Sequence, residues 1–126
     1  MFSTGKLCWC SNGDGEYDII GFEDDGGRIS ELLEEFSGKQ VWCNYAFSTE
    51  PLTPELVLQA AIDTAEGEVD ARYSVAWSEI TGYLWTNNDG NIGGHDMIAI
   101  FEQHVGEYAA LIVEVEPINL ADYVSQ

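Results

Sequence analysis

Positive charge is what this chain has least of. Lys6, Arg28, Lys39 and Arg72 stand against 23 Asp and Glu, for a formal net charge of −19. Direct nucleic-acid binding rests on Lys and Arg neutralising phosphates, so this balance argues against it. Long apolar runs are also missing. None approaches the ~20 residues that span a bilayer, and no basic stretch followed by an apolar one opens the chain, which predicts a cytoplasmic protein with no membrane contact. The three cysteines, Cys8, Cys10 and Cys43, are an odd number in a chain without an export signal, and reduced thiols are expected.

What is present is a foldable composition. The 126 residues fit one domain, and 45% hydrophobic residues with four Trp and six Tyr separate the chain from sparse, acid-rich disordered tails. Self-repulsion at this charge opposes compaction, so the acid asks for a reason. Solubility or a high-salt habitat is one; a partner with a basic surface is the other.

The order of elements repeats. The stretches "KLCWCS" (6–11) and "EYDIIGFE" (16–23) alternate as strands do, and "NGDG" between them has hairpin-turn chemistry. In "DDGGRISELLEEFSGK", Ile29, Leu32, Leu33 and Phe36 fall at i, i+3, i+4 and i+7, one apolar helix face, with Gly38 beyond its end. "KQVWCNYAF" (39–47) returns as a strand. The second half runs in the same order: "RYSVAWS" and "EITGYLWT" as a strand pair, "NNDGNIGG" before a helix, Gly106 at its end, and "EYAALIVEVE" as the return. Gly21-Phe22 aligns with Gly82-Tyr83, Gly26-Gly27 with Gly93-Gly94, Leu32-Leu33 with Ile100-Phe101, and Gly38 with Gly106. Between the halves, "TPELVLQAAIDTAEGE" carries Thr53 as cap, Pro54 at the first helical position and Gly67 past the end. The tail "PINLADYVSQ" is expected to turn Leu120, Tyr123 and Val124 back onto the body. The fold expected is a single α+β domain with a mostly antiparallel sheet, built from a duplicated ββαβ unit (residues 5–47 and 71–116) joined by a helix.

Few motifs carry chemistry. With Gly90 at the sixth position of a calcium loop, the first position falls on Trp85, which offers no ligand. No Lys follows the glycines to hold phosphate, so the loop reads as a strand-to-helix turn with glycines at positive φ. His95 and His104 are nine residues apart and share no helix face; His104 suits the helix C-terminal dipole, and His95 solvent or Asp96. The pair Cys8 and Cys10 lies on one side of a strand, but no second Cys or His pair completes a zinc site, and the acidic surroundings disfavour a reactive thiolate. Carboxylates are too numerous for any two to mark a catalytic pair, and no Ser-His-Asp elbow or zinc-protease motif occurs. Neither an enzyme nor a bound cofactor or metal is expected.

The distribution of acid is the remaining signal. Asp14, Glu16, Asp18, Glu23, Asp24 and Asp25 crowd the first hairpin, and Glu31, Glu34 and Glu35 lie opposite the apolar stripe of the first helix. These nine residues are the candidate partner-binding set. A second run, Glu50, Glu55, Asp63, Glu66, Glu68 and Asp70, meets no basic residue until Arg72. A compact chain of this size is roughly 36 Å across. Duplex DNA bears a charge per about 1.7 Å, so 19 charges correspond to roughly 32 Å of its axis.

In this the chain resembles the small acidic inhibitors that mimic DNA, used by phages and mobile elements against restriction or CRISPR nucleases. ArdA-type antirestriction proteins have a similar arrangement of short strands and a helix, and "KLCWCSNGDGEYDIIGFE" looks like such an opening hairpin. The resemblance implies a non-enzymatic decoy whose partner is a basic nucleic-acid-binding protein or nuclease complex, its carboxylates standing where phosphates stand. Two other readings stay open. One is a small-ligand or metal-binding module at Asp89 to Asp96. The other is a protein-interaction module, including a homodimer, that docks through Trp77, Trp85 and the apolar "MIAIF" helix.

Overall fold

The structure is a computed structural model and describes residues 1–11, 18–23, 27–86 and 90–123. It is an α+β domain built on one curled antiparallel sheet. The elements are β1 (Phe2–Ser11), β2 (Asp18–Phe22), β3 (Gly27–Arg28), α1 (Ile29–Glu34), β4 (Gln40–Ser48), α2 (Pro54–Ala65), β5 (Tyr73–Trp85), β6 (Asn91–Ile92), β7 (His95–Asp96), α3 (Met97–Glu102), β8 (Tyr108–Glu114) and a terminal 3-10 turn (Leu120–Tyr123).

Local chemistry accounts for most boundaries. Thr53 Oγ1 accepts the Leu56 amide at 3.3 Å, Pro54 opens α2, and Gly67 follows at φ 79°. Asp96 caps α3 by accepting the Ala99 amide at 3.1 Å. Gly93 and Gly94, at φ 57° and 93°, form the two-residue turn between β6 and β7, which left-handed residues favour. Within the loop, Asn91 Oδ1 also accepts the Gly94 amide at 2.8 Å. The "NGDG" turn and Val124 lie outside the described residues, whereas Leu120 and Tyr123 do pack back onto the sheet.

One expected strand pair does not exist. "RYSVAWS" and "EITGYLWT" are consecutive parts of the single 13-residue strand β5, because no Gly, Pro or Asn between Trp77 and Glu79 reverses the chain. The register slips twice against β4, between Tyr45 and Phe47 and between Phe47 and Ser48, and the strand bends there instead of turning. The partner on its other side is the two-residue β6.

The sheet order, β3-β2-β1-β8-β4-β5-β6-β7, is the same read from either end once each strand is exchanged for its counterpart in the other half. Each half thus carries one short strand more than the expected ββαβ unit. The pseudo-dyad passes through the pair Asn44 and Ile112, which face one another across β4 and β8. Hydrogen bonds follow it: the Leu7 amide donates to Glu107 O and the Gly106 amide to Leu7 O, as the Leu84 amide donates to Lys39 O and the Gly38 amide to Leu84 O. The two helices match residue for residue, including Leu32-Leu33 with Ile100-Phe101 and Gly38 with Gly106. Two earlier alignments change. Pairing across the strands makes Gly82 the counterpart of Gly5, with Gly21-Phe22 answering to Asn91-Ile92, and Gly27 of β3 answers to His95 of β7.

Alternation along the strands builds two cores. Val41, Cys43, Phe47, Ala109, Leu111 and Val113 face α1 and α3, whose Ile29, Leu33, Met97 and Phe101 are fully buried. Ala46, Ala110 and Ile112 face the other way, under Leu52 and Val57 beside α2, with Phe2, Trp77 and Tyr123 at the margin. Burial pushes the Cys43 thiol up to about 12, so it is an inert packing group. On the α2 side Asn44 is buried, and its Oδ1 has no hydrogen-bond partner among the described residues.

Candidate partner-binding face

Glu31, Glu34 and Glu35 are all exposed, carried by a helix whose opposite face is fixed by the buried Ile29 and Leu33. Glu23, one residue past β2, is exposed as well. The side chain of Asp18 and all of Asp14, Glu16, Asp24 and Asp25 lie outside the described residues. The rise of 1.5 Å per residue places the three carboxylates within roughly 6 Å along the axis, about 3 Å apart on average, a spacing of the same order as the ~1.7 Å per charge of duplex DNA. Glu31 is not bare, because Arg28 Nη1 lies 2.8 Å from its Oε1. Glu31 and Glu34 also line a shallow cleft with Ser30, Thr86 and Gly90. The second half helps to shape it: Gly90, at φ 60°, lies so close to Leu33 that a Cβ there would stand 2.8 Å from Leu33 Cδ1.

The acid is not confined to this side. Glu55, Glu66 and Glu68 are exposed on or beside α2, across the sheet from α1. Carboxylate oxygens of Asp63, Glu66 and Glu68 come within 4.8 Å of one another where α2 ends, a position where the helix dipole disfavours negative charge. Nearby, Arg72 holds Asp70 at 2.8 Å and Glu50 at 3.5 Å. The side-chain and backbone hydrogen bonds from Arg72 keep the carboxyl of the half-exposed Asp70 below its usual range.

Several acids serve structure instead. Glu114 accepts the N-terminal ammonium of Met1 and the Tyr123 hydroxyl. Burial pushes its carboxyl up, and these two hydrogen bonds outweigh that and hold it below the ordinary value of 4.5. Tyr123, partly buried beside that carboxylate, is pushed above its usual phenol value. Glu107 accepts the Ser74 hydroxyl and stands 3.3 Å from His104. His104 lies past the end of α3, and its ring does not cap the helix; it stacks on Phe47 at 3.9 Å with an interplanar angle of 10°. His95 is exposed on β7.

The interaction surface read from sequence divides. Met97 and Phe101 of "MIAIF" are fully buried and unavailable for docking, and Trp77 is half-buried beside α2. Trp85 is 57% exposed, and Tyr83, which the sequence reading passed over, is 56% exposed on the same side of β5. Strand alternation from the buried Leu84 could have found it.

No helix among the described residues is long and apolar enough to cross a membrane. Comparison with protein-family models, with curated proteins and with solved structures gives no match to this chain.

Proposed function

We propose that the protein is a non-enzymatic acidic decoy, acting in the cytoplasm, that occupies the basic nucleic-acid-binding surface of a nuclease or similar protein and keeps nucleic acid out. The observation that carries this reading is the row Glu31, Glu34 and Glu35, fully outward on a helix anchored by Ile29 and Leu33, with Arg28 as its one observed basic neighbour. Anchoring matters because a decoy on a stiff support does not lose affinity to ordering its charges on contact. The overall charge of −19 steers encounter with a basic groove over the same range as the short row then fits.

The test is displacement of labelled duplex DNA from basic nucleases of restriction and CRISPR type. Glu31→Gln, Glu34→Gln and Glu35→Gln combined should weaken displacement about tenfold or more, mainly through slower association, and flatten its salt dependence. The matched control is Glu55→Gln, Glu66→Gln and Glu68→Gln on the opposite side of the sheet. Glu107 and Glu114 would not serve as controls, since Glu107 accepts the Ser74 hydroxyl and Glu114 the Met1 ammonium and the Tyr123 hydroxyl. Equal losses from both triples would show that net charge alone acts, and no displacement by the unaltered protein would end the decoy reading.

A further inference from the structure

Among the described residues, the side of β5 that faces away from β4 is unpaired along most of its length. β6 pairs with only Leu84 and Trp85, and Gly93 then crosses so close to Gly82 that a Cβ on Gly82 would stand 2.7 Å from Gly93 Cα. Tyr83 O, pointing to this side, accepts the Gly93 amide at 3.2 Å, while the N–H and C=O of Leu84 point to β4. Pairing with β4 is regular from Tyr83 to Ser78, so alternation aims the N–H and C=O of Thr81 and Glu79 outward; the Gly93 turn crosses beside Thr81 O, where a Cβ on Gly93 would stand 2.8 Å away, while the Thr81 N–H and both Glu79 groups have no hydrogen-bond partner among the described residues.

We infer that this edge, from Ser78 to Thr81, takes up an extended basic segment of a partner protein as an added strand. An open edge is a template for strand addition, and the side chains beside it select the strand. On one face stand Glu79 and Thr81, both exposed, between the half-buried Trp77 and the exposed Tyr83, a carboxylate flanked by aromatic rings that suits Lys or Arg. On the other face Ile80 is half-buried at the rim of the larger core and offers an apolar contact. The segment that fits therefore alternates cationic and apolar residues. A second copy of this chain does not fit, because edge-to-edge pairing would bring two Glu79 carboxylates together between bodies that each carry −19. The register slips below Ser78 bend the strand and confine docking to this short stretch. This surface is separate from Glu31, Glu34 and Glu35 and does not depend on the decoy reading.

The probe is an end-capped Val-Lys-Val-Lys-Val-Lys-Val peptide, compared with two versions N-methylated at alternate residues along one edge or the other. Titration should slow amide exchange at Glu79 and Thr81 by about tenfold or more, and one methylated version should lose binding while the other keeps it. Glu79→Lys and Thr81→Pro should each weaken binding about tenfold; proline at 81 removes an N–H that has no partner among the described residues. The Glu31, Glu34, Glu35 triple variant should bind the peptide as the unaltered protein does. Equal binding of both methylated peptides, or shifts centred on α1 with Glu79 and Thr81 unmoved, would overturn the inference while leaving the decoy test intact.

Discussion

The two halves share a backbone and differ in what they show to solvent. At the outward positions of the first helix stand Glu31, Glu34 and Glu35; their counterparts on α3 are Ala99, Glu102 and Gln103. Inward, Ile29 and Leu33 answer to Met97 and Phe101, and all four are fully buried. Packing constrains the inner positions alike in both halves, and the outer ones are free of it. The extra carboxylates of the first helix are therefore not required by the fold, since the second half builds the same helix without two of them.

The halves also differ in how tightly the sheet bends. Gly5 and Gly82 are equivalent, yet a Cβ on Gly5 would meet the Phe22 ring at 3.3 Å, whereas on Gly82 it would strike the Gly93 backbone at 2.7 Å. A ring can shift by a few tenths of an ångström; a turn held between two strands cannot. Gly82→Ala should cost about 3 kcal/mol in urea denaturation and Gly5→Ala about 1 kcal/mol. Equal losses would mean that the β6–β7 turn is as yielding as the Phe22 side chain.

The same asymmetry explains what could be read in advance. α2 was legible because cap, proline and terminal glycine all act locally at Thr53, Pro54 and Gly67. The repeat was legible from glycines flanking the two shorter helices, but its strand register was not. Equivalence of Gly5 with Gly82 is set by pairing to Ala109 and to Val41, contacts far apart in sequence. β6 and β7, at two residues each, are too short for any alternation to show. Of the candidate acids, exposure of Glu31, Glu34 and Glu35 followed from helical spacing, while the capture of Glu107 by Ser74 and of Glu114 by the chain terminus required the folded sheet.

Glu114 sharpens the comparison further, because its counterpart is the buried Ala46, which holds no charge partner. The carboxyl titrates lower in the folded protein than its ordinary value of 4.5, so its contribution to stability is full above that value and disappears as pH falls through the folded pKa. Glu114→Gln should lower the melting temperature by a few degrees at pH 7, and the gap to the unaltered protein should narrow as pH drops from about 5 towards 3. Taking the difference between the two proteins cancels the relief of repulsion among the exposed carboxylates, which acts in both. A gap that stays constant with pH would mean that a neutral amide fills the same role between Met1 and Tyr123.

The smallest effect on stability is expected where the two halves are made alike. Glu31→Ala with Glu35→Gln copies the outer surface of α3 onto α1. The change gives up the exposed pair of Arg28 with Glu31, a type of contact worth about 0–1 kcal/mol, and gains some helix propensity at position 31 and some relief from repulsion. These terms nearly cancel, and stability by urea denaturation should stay within about 0.5 kcal/mol of the unaltered protein. If the row on α1 is the decoy surface, displacement of DNA from a basic partner should nonetheless fall, separating what folds the helix from what the helix presents. A loss of 2 kcal/mol or more would place the carboxylates inside the first half's own architecture, and the pseudo-dyad would then relate two helices that are held in place by different means.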